Sequence, residues 1–217
     1  MVFVSSLLLL TWTNLDLARM YQLLSCVPNG LAPLRNELEK HVQSEGLKAA
    51  ERVIEEAEKD PKIYVEALFA VIRRYHDLVS GPFVNDSGFV AALDKACRRF
   101  INDTSVAKKV GIKGPSRTPE LLARYADRLL KKSAKNPEEA EMEQTLTNVM
   151  TVFKYIEEKD VFMTFYSKSL AKRLIQGTSA SEDIESNMIA KLKVCLLFCD
   201  LQLQFTDAIA SLVRLWV

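Results

Sequence analysis

Apolar residues along this chain recur at three- and four-residue intervals, and no stretch sustains the strict alternation of a half-buried strand. The spacing predicts a helix with Leu17, Met20, Tyr21 and Leu24 on its inner face, opened by Asn14 or Asp16 and closed by Val27-Pro-Asn-Gly30. A long second helix carries Leu31, Leu34, Leu38, Val42, Leu47, Ala50, Ile54 and Ala57, with an expected kink at Gly46. Asp60 as N-cap and Pro61 at the first helical position open a third, striped by Tyr64, Leu68, Val71, Ile72, Tyr75 and Val79. After Asn85-Asp-Ser comes a short helix, Gly88 to Asn102, expected to bury Phe89, Leu93, Ala96, Cys97 and Phe100.

The longest polar interruption runs from Asn102 to Pro119 and reads as a surface loop. Thr118 is then expected to cap a helix begun by Pro119 and striped by Leu121 or Leu122, Tyr125 and Leu129. Asn136-Pro137 breaks that pattern, and a helix with Leu146, Val149, Met150, Phe153 and Ile156 follows to Lys159. Asp160 opens another, with Phe162, Phe165, Tyr166 and Leu170 expected to be buried. Ser179 with Glu182 suggests a capping box for a last helix through Ile184, Met188 and Leu192. The fold class is all-α, an elongated stack of amphipathic helices in which one bundle runs into the start of a second.

Charge changes this picture little. Lys and Arg number 29 against 28 Asp and Glu, so no global field draws in nucleic acid or an anionic membrane. From Lys108 to Lys135 nine basic residues face only Glu120 and Asp127, yet Tyr125 is the one aromatic among them, too few to stack bases. A solvated face, or a docking patch for an acidic protein, is the expectation there.

Candidate chemistry is sparse. Cys26, Cys97, Cys195 and Cys199 lack the spacing of a disulfide framework or, with His41 and His76 remote, of a zinc site. Glu138, Glu139, Glu141 and Glu143 suit the positive end of a helix dipole. Gly111-Ile-Lys-Gly-Pro115 is too short for a phosphate loop. Neither histidine has a nucleophile at a telling spacing. The residues therefore offer no catalytic, cofactor-binding or metal-binding set, and the chain reads as a helical binding or scaffolding protein and not an enzyme. A helical-repeat RNA-binding module, or another protein-interaction module without a ubiquitin role, is the alternative. Val2 to Trp12 is apolar but has no Lys or Arg ahead of it and is too short to span a bilayer.

Five segments in order, Asp16–Ser25 (DLARMYQLLS), Asp60–Val79, Asn85–Asn102 (NDSGFVAALDKACRRFIN), Ser116–Glu141 and Val152–Ile175 (VFKYIEEKDVFMTFYSKSLAKRLI), resemble the cullin family. The resemblance is closest to the member that works with F-box proteins. It implies a scaffold fragment of a cullin-type ubiquitin ligase, acting in ubiquitin-dependent protein catabolism in the cytoplasm and nucleus. Its partners would be proteins of the cullin-RING ligase system, with no nucleic acid, membrane or cofactor. Residues 14–135 would be the last helical repeat and 136–193 the start of the cullin homology region, with 1–13 a leader and 194–217 a tail outside the family pattern. That tail, crowded with apolar side chains, reads as the mark of a truncated or misread gene product. Nothing in the chain resembles the family's adaptor-binding repeat, its RING-box-binding sheet or its modifier-acceptor lysine, so reconstitution is expected to yield no substrate ubiquitylation. A stiff helical spacer of this kind raises effective concentration without touching the chemistry.

Overall fold

The computed structural model describes residues 13–106, 117–132 and 139–196. These residues form eight helices: α1 (Asn14–Ser25), α2 (Ala32–Ala57), α3 (Pro61–Ser80), α4 (Ser87–Ile101), α5 (Thr118–Leu130), α6 (Glu139–Phe153), α7 (Lys159–Gln176) and α8 (Glu182–Leu196). The only β-type pairing among them is one isolated bridge, Lys131 with Ser179. The protein is all-α. None of the described helices is long and apolar enough to cross a membrane.

Chain packing divides these residues into two compact units. The first takes residues 13–55 and 66–106, the second residues 56–65, 117–132 and 139–196. Packing therefore groups α5 with the helices beyond Asn136, whereas the family resemblance groups it with those before. The reason is that α5 lies along α7 and also touches α6, which buries Leu121, Leu122, Tyr125 and Leu130.

In the first unit, Leu34, Leu38, Val42, Ala50 and Ile54 of α2 are buried, as their spacing predicts. Helix α2 runs unbroken through Gly46 from Ala32 to Ala57. The glycine instead clears room for the Phe100 ring, which a Cβ at that position would overlap. The α3–α4 turn drives Phe83 inward to stack on Phe89 at 4.2 Å between centroids, and Tyr21 of α1 packs against both rings at 6.1 Å. Leu17 is the one fully buried residue of α1. Asp86 caps α4, its carboxylate accepting from the backbone N–H groups of Gly88 at 2.9 Å and Phe89 at 3.2 Å. Burial of Phe89 and Phe100 contributes about 1.5–3 kcal/mol each.

Local signals at helix starts are partly reassigned. Thr13 is the N-cap of α1, and Asp16 completes a capping box with it, so Asn14 is already helical. Asp60 does cap α3, accepting from the Lys62 N–H at 3.1 Å. Thr118 makes no cap; its buried hydroxyl pairs with the Tyr64 hydroxyl at 3.0 Å. Helix α7 starts at Lys159, with Asp160 in its first turn, and ends where Gly177 adopts a left-handed conformation, φ 60°. Phe162, Tyr166 and Leu170 are buried, but Phe165 is 38% exposed. Phe165 lies about 100° around the helix from Tyr166, beyond the edge of the inner face.

Candidate functional site

Each residue singled out for chemistry has a structural partner or stands alone. His41 is buried on α2, with its Nε2 2.8 Å from the Tyr75 hydroxyl and the two rings edge to face at 5.6 Å. Burial holds its pKa below the ordinary 6.5, Glu45 opposing that shift and Arg74 and Lys48 adding to it. Burial likewise pushes the Tyr75 phenol up to about 12. His76 is exposed on the same helix as Tyr75. Cys26 is exposed, Cys97 buried and Cys195 half-buried; Cys199 lies outside the described residues. Among the described residues no three His, Cys, Asp or Glu side chains come together as a metal site. Glu141 and Glu143 are exposed on α6, while Glu138 and the Gly111–Pro115 segment fall outside the described residues.

The basic run is largely neutralised where it is described. In the second unit Arg117 pairs with Glu58 and Glu120, Arg124 with the same two acids, Arg128 with Asp60 at 2.7 Å, and Lys131 with Asp127 at 2.7 Å. The acids come partly from the α2–α3 turn, remote in sequence, so the local count overstated the free positive charge. Lys108, Lys109, Lys113 and Lys135 lie outside the described residues. A phosphate-binding stripe has little left to work with on α5.

The densest polar constellation was not legible in the sequence. Arg173 of α7 is fully buried, and its guanidinium donates from Nε and Nη2 to the two oxygens of Glu185 on α8, at 2.7 and 3.0 Å. Its Nη1 reaches Asp127 of α5 at 2.5 Å, whose other oxygen accepts from Lys131. The Ser179 hydroxyl donates to Glu185 at 2.9 Å, so it serves this cluster and not a capping box. The guanidinium lies 5.7 Å from the Tyr166 ring centre, and burial, with the Glu185 charge, raises the phenol's pKa. Burial alone would lower the Arg173 pKa, but hydrogen bonding to Glu185 and its charge reverse that and raise it. A guanidinium committed on three sides holds helices together and has no open face for a substrate.

Comparison with known proteins decides what kind of chain this is. The family model described as "Cullin alpha solenoid domain" matches residues 4–214. The chain belongs to the cullin family. The match takes in most of residues 1–13 and 194–217, the segments that the sequence reading set apart. Cullin-1 of Dictyostelium discoideum is 57% identical over 195 residues, which cover 88% of this chain and 25% of that protein. Cullin-1 of Caenorhabditis elegans is 50% identical over 179 residues, 82% of this chain and 23% of the relative. Cullin-1 of Schizosaccharomyces pombe is 44% identical over 185 residues, 83% and 24%. The chain thus spans about a quarter of the length of these cullins. The two segments that carried the resemblance most strongly are α4 and α7, the helices that contribute Phe89 and Phe100 to one core and Phe162, Tyr166 and Arg173 to the other.

Proposed function

We propose that this cullin segment is a non-catalytic scaffold element of a cullin-type ubiquitin ligase. It serves ubiquitin-dependent protein catabolism through protein partners of the ligase system, in the cytoplasm and nucleus. The observation that carries this reading is the cullin match along residues 4–214. The structure supports it in kind: the described polar side chains that are buried tie helix to helix, as Arg173 to Glu185 and His41 to Tyr75.

Affinity purification of the tagged chain from cells, with mass spectrometry for proteins of the ligase system, tests the scaffold role. Enrichment of such proteins over a tag-only control is expected, without the adaptor and RING-box subunits whose binding parts the chain does not resemble, and the absence of any ligase-system protein overturns it. Incubation with activating enzyme, conjugating enzyme and ubiquitin tests the non-catalytic part. No thiol-sensitive ubiquitin adduct should form on the chain, and an adduct at the exposed Cys26 would make it a catalyst.

A further inference from the structure

The turn between α1 and α2 makes two demands on the chain. Asn29 sits at φ 58°, in the left-handed region that asparagine enters at less cost than most side chains. A Cβ at Gly30 would lie 2.4 Å from the Leu24 carbonyl oxygen and 3.1 Å from the Val27 Cβ, so the turn admits only glycine there. The backbone thus imposes the pair Asn29-Gly30. Of the asparagines in the chain, Asn29 alone is followed by glycine.

That pair carries a chemistry of its own, because glycine offers the asparagine carboxamide a backbone nitrogen with no side chain to hinder it. In the closed turn the nitrogen is engaged: Gly30 N–H donates to Val27 O at 2.9 Å, and Ala32 N–H donates to Asn29 O at 3.2 Å. Val27, Pro28 and Asn29 are already exposed, so opening the turn costs these two hydrogen bonds, each of modest net worth, and uncovers no core side chain.

We infer that Asn29 is a self-modification site, which deamidates in the folded chain through opening of the α1–α2 turn. The Gly30 nitrogen, its proton passed to solvent base, attacks Asn29 Cγ; the Cγ–Nδ2 bond breaks, and Nδ2 leaves as ammonia after taking a proton from water. The cyclic imide that remains adds water. Cleavage at Cγ gives aspartate in an ordinary chain, whereas cleavage at the Asn29 carbonyl carbon gives isoaspartate, with the main chain rerouted through Cβ and Cγ. Nothing is oxidised or reduced, and water is the only co-reactant.

The two products act differently on α1. Aspartate keeps the backbone and places a carboxylate just ahead of the α2 N-terminus, in a cavity that Arg35 also lines, where negative charge is favoured. Isoaspartate lengthens the main chain by a methylene and removes from it the carbonyl that Ala32 N–H meets. Helix α1 is lightly seated, with Leu17 its one fully buried residue and the Tyr21 ring against Phe83 and Phe89, so the longer link loosens it. The inference concerns the first unit alone and stands whether or not the ligase role holds.

Asn85 is the internal control, exposed and at φ 52° like Asn29 but followed by Asp86. The full chain, incubated at mildly alkaline pH and mapped by tandem mass spectrometry, should gain acid at Asn29 several-fold faster than at Asn85, as both isoaspartate and aspartate. Equal rates at the two positions, or no acid at Asn29, overturn the site, and aspartate alone overturns the imide route. Asn29→Gly tolerates the positive φ and lacks a carboxamide, so it should clear the acid from that peptide; acid persisting there also overturns the site. Hydrogen exchange of the separated isoaspartyl form should be faster along Leu17–Leu24 than in the parent or in Asn29→Asp, with α3 unchanged. Equal exchange along α1 in all three overturns the loosening.

Discussion

Gly46, midway along α2, faces the ring of Phe100 on α4 so closely that a methyl group on the glycine would overlap the ring atoms. In an exposed helix interior, replacing glycine by alanine stabilises by about 1 kcal/mol. Here the sign reverses. Gly46→Ala should cost about 1–3 kcal/mol through overpacking, read as a lower urea midpoint at unchanged slope. Pairing it with Phe100→Leu should recover part of the loss, since the smaller side chain makes room; strict additivity would show that the two sites do not meet.

Phe100 itself is 1% exposed, whereas Phe165 is 38% exposed. Phe100→Ala should cost about 3–5 kcal/mol, with the cavity term included. Phe165→Ala should cost under about 1 kcal/mol, as a surface substitution does. Denaturant titration of both variants checks the contrast, and equal losses would put Phe165 in the core.

That contrast marks how much the sequence disclosed. The helix stripes of α2, α3 and α4 were legible because burial follows the three- and four-residue spacing, down to Phe89, Leu93 and Phe100. Including Phe165 widens the predicted stripe past the face that α7 buries. Gly46 looks in sequence like a backbone signal, yet it answers a side chain 54 positions away. Hydroxyl residues before a helix usually cap it, so the sequence predicts caps at Thr118 and Ser179, but Tyr64 and Glu185 claim their hydroxyls. The cluster joining Asp127, Arg173 and Glu185 spans 46 and 12 residues of chain, and pairings at such distances leave no local pattern. One signal was available: Arg173 lies three positions after Leu170 and seven after Tyr166, on the apolar stripe, where an unpaired charge cannot stay.

His41 makes the first unit sensitive to pH. Its pKa is lowered in the native state, so between that value and the ordinary 6.5 the unfolded chain binds more protons than the folded one. Stability from this residue is therefore complete above about pH 6.5 and declines as pH falls through the lowered native pKa. His41→Gln keeps a polar partner for the Tyr75 hydroxyl and removes the titration. The parent should lose more stability than the variant between about pH 7 and pH 5. Parallel slopes in urea titrations at both ends of that range would remove His41 as the cause.

Val84 sits at φ 50° and is 71% exposed, followed by Asn85 at φ 52°. A β-branched residue pays more for the left-handed region than asparagine does. Val84→Asn should raise stability by about 0.5–1 kcal/mol without touching the core, because Phe83 beside it carries the packing. A thermal midpoint that falls in the variant would mean that the Val84 side chain makes a contact worth more than the strain.

Asp86 carries a helix cap and an ion pair that substitution can separate, and its Oδ2 also accepts from the Tyr21 hydroxyl at 3.5 Å. Its Oδ1 accepts the capping N–H groups of α4 and also meets the Arg35 guanidinium at 2.8 Å, and Arg35 in turn lies over the Phe89 ring at 5.5 Å. Both side chains are only partly exposed, 18% and 34%, so the ion pair is less screened than a surface one. Asp86→Asn keeps an oxygen for the cap and removes the charge, and should cost under about 1 kcal/mol. Asp86→Ala removes the cap as well and leaves Arg35 without its carboxylate, so the loss should reach about 2–3 kcal/mol. Equal losses in the two variants would assign the whole effect to the charge, and Arg35→Met would then reproduce it.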